Sequence, residues 1–126
     1  MEDRFKFRIF DKTKNVMVYF DSIFGNKRPY TETSSFVQYE SCPQFHKISE
    51  PMQCTGLKDK NGKLEYKDDI LLTPNETICF IVNDGFRWAV KSPGSNAVDY
   101  EDSKFFEQCE IIGNIYENPE LLGGEE

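Results

Sequence analysis

The sequence predicts a mainly β fold, an N-terminal β-hairpin followed by a small SH3-like barrel meander, with a short helical turn near the C-terminus. Three observations carry this prediction. Basic and apolar residues alternate through Arg4-Phe5-Lys6-Phe7-Arg8-Ile9, the period of two expected of a strand with one buried face. Short runs rich in Val, Ile, Phe and Tyr recur along the chain. They are punctuated by Asn61-Gly62, Thr73-Pro74-Asn75-Glu76 and Asn83-Asp84-Gly85, all turn-forming. A chain of 126 residues, 38% hydrophobic and 14% aromatic, closes one core, so a single domain over residues 1–122 is expected, with a frayed tail at 123–126.

The elements follow in order. Phe5, Phe7 and Ile9 share one face of a first strand, and Val16-Met17-Val18-Tyr19-Phe20 forms a second after the polar turn Asp11-Lys12-Thr13-Lys14-Asn15. Residues 25–35 read as loop, and Phe36-Val37-Gln38-Tyr39-Glu40 as a short strand. The segment between Pro43 and Pro51 fits a helical turn or an edge strand equally well. Asn61-Gly62 carries the strongest turn signal, because both residues tolerate the positive φ of a type I′ turn. Ile70-Leu71-Leu72, Thr77 to Val82 and Phe86 to Lys91 then form a three-stranded meander, entered through an acidic turn at Asp68-Asp69. Phe86, Trp88 and Val90 share a face of its last strand, which favours burial of the tryptophan over display. Residues 92–103 read as a polar, acidic loop. Phe105-Phe106 and residues 109–112 make a final apolar segment, and Asn118-Pro119-Glu120 has the cap, first-turn proline and acid of a short helix.

Composition narrows the function. No apolar run reaches the ~20 residues of a membrane helix, and the N-terminus lacks the pattern of a signal peptide, so a cytoplasmic protein without membrane contact is expected. Cys42, Cys54, Cys79 and Cys109 are far apart with no C-x-x-C pair, and His46 is the lone histidine, which speaks against structural zinc and for free thiols. A net charge of −7 opposes general affinity for nucleic acid, whose phosphates need clustered Lys and Arg. No phosphate-binding loop, serine-hydrolase elbow or H-E-x-x-H motif is present. Cys42 and His46 lack a third orienting group for a catalytic dyad. Asp68, Asp69 and Asp84 do not have calcium-loop spacing, and adjacent strand residues point to opposite faces, so turn-forming, solvated carboxylates are the expected reading. No catalytic residue, metal or cofactor is expected.

Several blocks taken together carry a resemblance: Phe5-Lys6-Phe7-Arg8, Met17-Val18-Tyr19-Phe20, Met52-Gln53-Cys54-Thr55-Gly56-Leu57-Lys58-Asp59-Lys60-Asn61-Gly62-Lys63, Asp69-Ile70-Leu71 and Ile112-Gly113-Asn114-Ile115-Tyr116-Glu117-Asn118-Pro119. In content and order they resemble the YopX-like family of phage and prophage proteins. The resemblance implies a small, mostly β protein with no assigned reaction, and it supplies no catalytic residue. Two departures stand out: Cys54 replaces the family's usual aromatic residue, and Asp68 replaces a usual glycine, where Asp reaches the left-handed conformation less readily. Residues 26–45 have no counterpart.

Three functions are weighed. The first is a non-enzymatic accessory protein that binds a host or phage protein, with the acidic loop around Asp99, Glu101 and Asp102 as its contact surface. The second is an inhibitor of a host defence nuclease, the same acids standing in for phosphates. The third is a weak nucleic-acid module contacting phosphates through Lys58, Lys60, Lys63 and Arg87 beside aromatic residues. Apolar edge strands also leave self-association open. Residues 26–45 and the loop after Ser95 are the expected seats of function.

Overall fold

The structure is a computed structural model, and it describes residues 6–20, 48–85 and 87–123. The expected strand at residues 36–40, the unpatterned segment 26–45, the Cys42 and His46 pair, Phe86 and the tail beyond Gly123 lie outside the described residues. The chain is mainly β and divides into two compact units between Cys54 and Thr55.

In the first unit, β1 (Phe7–Asp11) and β2 (Val16–Phe20) form the expected antiparallel hairpin, in register from Phe7 opposite Phe20 to Asp11 opposite Val16. Asp11 builds its turn: Oδ1 accepts the N–H groups of Thr13 and Lys14, and Asn15 closes it at φ 58°. The rings of Phe7 and Phe20 stack at 4.6 Å across the open end. The other edge of β1 pairs with the start of β3 (Met52–Lys58), Arg8 opposite Met52. Beside Asp11, Ser49 exchanges bonds with Phe10 through both its backbone and its hydroxyl. Alternation had placed Arg8 on a solvent face. It is buried, as are Ile9, Phe10 and Asp11, because β1 is an inner strand covered on both faces.

In the second unit, β3 runs on beside β4 (Leu64–Tyr66), and a five-stranded antiparallel sheet follows in the order β8-β7-β6-β5-β9. Its strands are β5 (Asp69–Leu72), β6 (Ile78–Asn83), β7 (Trp88–Lys91), β8 (Asp99–Tyr100) and β9 (Glu110–Asn114). The meander β5-β6-β7 is the one the sequence predicts. Leu71, Cys79, Ile81 and Val90 lie on one face of it, and Phe106 and Cys109 close the core over them. Trp88 packs half-buried against this cluster, as its shared face with Val90 predicts.

Two elements, β8 and the helix α1 (Ser103–Gln108), are absent from the sequence reading, while the expected C-terminal helical turn is present. The acidic loop contains β8, and α1 carries Phe106 into the core. The C-terminal turn is a 3-10 helix (Pro119–Leu122) with proline in its first turn. Asn118 is its N-cap by position but gives it no side-chain bond.

Candidate functional site

The two long sequence signatures meet on β9, and each is accounted for by backbone geometry. Asp59, 6% exposed, is the organising residue of the first. Its Oδ1 accepts the N–H groups of Asn61 at 3.0 Å and Lys63 at 2.8 Å, and its Oδ2 accepts that of Ile111 at 3.0 Å. The turn is closed by Gly62 N–H on the Asp59 carbonyl, with φ +85° at Gly62. Asn61 has no positive φ, so this is not the type I′ hairpin that Asn-Gly suggests. It is the longer loop in which a left-handed glycine follows the turn, and the Asp59 carboxylate selects it by gathering the loop's amides. Lys60 N–H adds a bond to the Cys109 carbonyl. The loop thereby occupies backbone groups of a sheet-end strand that would otherwise be open to pairing.

The second signature locks the other end of β9. Asn114 Oδ1 accepts from the N–H groups of Tyr116 and Glu117, and its amide donates to Glu117 Oε1 at 2.8 Å. Asn118 folds back so that its Oδ1 accepts Asn114 N–H at 3.2 Å, the bond that replaces the expected helix cap. That side chain lies against Gly113, where a Cβ would stand 2.5 Å from Asn118 Oδ1. Asp68, at φ 72°, adopts the left-handed turn despite not being glycine, and its carbonyl accepts Ile115 N–H. Lys67 Nζ pairs with its carboxylate at 3.2 Å, while Asp69 Oδ2 accepts Tyr66 N–H. The adjacent acids hold separate parts of one turn.

The opposite end of the same sheet is built differently. β8 is its last strand, and both of its residues are exposed. Tyr100 pairs with Ala89 and is 48% exposed. Its phenol donates to Asp84 Oδ2, and the Arg87 guanidinium lies 4.5 Å from its ring centroid. Asp84 in turn caps the β6–β7 turn by accepting Arg87 N–H at 3.0 Å. The phenol's pKa is raised, first because ionisation would forfeit the bond to Asp84. Register therefore brings residues 84, 87 and 100 into one exposed aromatic and charged surface.

The sequence-predicted site residues distribute unevenly around it. Asp99 is exposed beside Tyr100 on β8; Glu101 is half-buried; Asp102 is the N-cap of α1, its Oδ1 accepting Phe105 N–H at 3.0 Å. Arg87 belongs to the Tyr100 surface. Lys58, Lys60 and Lys63 are exposed at the end of β3 and in the loop on β9, at the other end of the sheet order, and Lys60 Nζ lies 3.7 Å from Glu110. The four basic residues thus do not converge on one surface.

A further group escaped sequence reasoning. Glu65 on β4 is wholly buried, and among the described residues neither carboxyl oxygen meets a hydrogen-bond donor. Burial first, then the charges of Asp69, Asp59 and Glu107, raise its pKa from 4.5 to about 8. Burial likewise raises the free thiols of Cys79 and Cys109, to about 12 and about 11. Nothing in Lys63-Leu64-Glu65-Tyr66-Lys67 marks the glutamate as internal. Among the described residues no group of three His, Cys, Asp or Glu side chains is arranged to hold a metal ion, and no helix is long and apolar enough to cross a membrane.

Comparison with known proteins adds three findings. The family model described as YopX protein matches residues 6–123. Among solved structures, the crystal structure of protein EF1440 from Enterococcus faecalis is similar at 26% identity with a TM-score of 0.59, covering 93% of this chain and 96% of that one. No curated protein matches the chain.

Proposed function

The chain belongs to the YopX family, and from that premise we propose that it is a non-enzymatic phage or prophage accessory protein that works by binding a host or phage protein at the β8 end of its second unit. The observation that carries the reading is Tyr100, the large apolar side chain left exposed among the described residues, held in place by Asp84 and Arg87. Tyrosine and arginine are the residue types that dominate binding energy in protein interfaces, since both present broad, rigid surface with a polar tip. Fixing them before the encounter lowers the entropic cost of association. Asp99, exposed on the same strand, alternates to the other face of the sheet, so the acid of this surface is Asp84, which suits a partner with a basic group. The nuclease-inhibitor reading would draw on Asp99, Glu101 and Asp102, of which Asp102 is engaged as a helix cap and Glu101 is half-buried.

Site-specific photo-crosslinking in bacteria expressing the chain tests this. A crosslinker at position 100 is expected to give a discrete adduct that one at Glu110, on the strand sealed by the Asp59 loop, does not. Adducts equally frequent at both positions, or absent at 100, would overturn the assignment.

A further inference from the structure

We propose that Glu65 is a built-in pH-responsive element, neutral in the folded protein, whose ionisation in mildly alkaline solution loosens the second unit around β4. The argument starts from geometry. The side chain has no exposed surface, and among the described residues neither oxygen is met by a donor. An ionised carboxylate in that position would have neither water nor a hydrogen bond to replace it, and that is far more costly than burying the neutral acid.

The groups that face it deepen the bias. Asp69 from β5, Asp59 from the loop on β9 and Glu107 from α1 all oppose its ionisation, and it acts in turn on the thiols of Cys79 on β6 and of Cys109. Asp59 and Asp69 already serve as acceptors for backbone N–H groups, so their carboxyl oxygens are tied into the fold. Protonating Glu65 is thus the way this cluster sheds repulsion without breaking those bonds.

The direction of the effect follows. Folding raises the proton affinity of Glu65 from its ordinary 4.5 to about 8, so its contribution to stability is complete below the lower value and is lost as pH rises through the window between them. At higher pH the unfolded chain carries an ionised glutamate in water, while the folded chain must either hold the proton or open.

Urea unfolding of the full chain near pH 5 and near pH 8 tests the proposal, in the parent and in Glu65→Gln. The unfolding constant of the parent should rise between the two conditions by on the order of a hundredfold more than that of the glutamine variant. The protection of the Tyr66 amide, which bonds Asp69 beside it, taken as its exchange rate relative to the intrinsic rate at each pH, should fall over the same window in the parent alone. Equal pH dependence in the two proteins would overturn the proposal. A second measurement does not require the variant to fold: in the unsubstituted chain labelled with carbon-13 at glutamate carboxyls, one resonance should titrate near pH 8, and titration of all of them below pH 6 would equally overturn it.

Discussion

Replacing Asp59 by alanine should cost this protein a large part of its stability, and the size of the loss can be built bond by bond. The carboxylate accepts three backbone N–H groups. A hydrogen bond to a charged group contributes about 1.5–3 kcal/mol, the upper part of that range applying where water cannot take over. Asn61 and Lys63 lie in an exposed loop, so water recovers much of their two bonds; Ile111 is half-buried within β9 and recovers little. The sum is roughly 3–4 kcal/mol, against a total stability of about 5–15 kcal/mol for an ordinary domain. Asp59→Asn should lose about half as much, because one oxygen still serves the loop amides while the new NH2 meets the Ile111 donor. Fluorescence of Trp88, the single tryptophan, follows urea unfolding from within the affected core. Exchange of the Ile111 amide reports the specific bond. An alanine variant within about 1 kcal/mol of the parent, or an Ile111 amide protected as before, would refute the role given to this residue.

Three other outcomes are expected. Gly113→Ala should destabilise by roughly 2–3 kcal/mol, since the new methyl meets Asn118 on the bond that holds Asn114; thermal melts of Gly113→Ala with and without Asn118→Ala should show strong non-additivity. Asp68→Ala should cost about 1 kcal/mol and Asp68→Gly little or nothing, because φ 72° strains any residue with a Cβ, and aspartate less than alanine; urea midpoints order the three. Cys79 and Cys109 should resist alkylation in the folded protein at neutral pH and react fully in urea. Because folding raises both thiols above their ordinary value of 9.0, their contribution should be lost as pH climbs from about 9 through about 11 to 12, above the window assigned to Glu65.

Much of the frame was legible because it depends on local pattern. The hairpin β1–β2, the meander β5-β6-β7 and the burial of Trp88 follow from alternation and turn chemistry between sequence neighbours. What escaped depends on partners far along the chain. Arg8 reads as a surface residue until β3 and Ser49 are seen on the free edge of β1. α1 is only six residues long, and its signal, Asp102 three residues before Phe105, was outweighed by the acidity around it. β8 has two residues, too few to show a period, yet its register with β7 assembles Tyr100 and Arg87, and a bond across 16 residues adds Asp84. The signatures ran the other way. Their residues stand out in sequence because each satisfies several backbone groups at once, which marks a demand of folding rather than a ligand.

The central claim is that the patterned residues hold the fold while Tyr100 and its neighbours bind. The most direct test is the affinity of the partner crosslinked at position 100, measured by calorimetric titration for the parent and for Tyr100→Ala. Truncating an exposed tyrosine should leave the urea midpoint in place while weakening binding by at least about tenfold, the loss expected of an interface anchor. Unchanged affinity in the folded variant would contradict the claim.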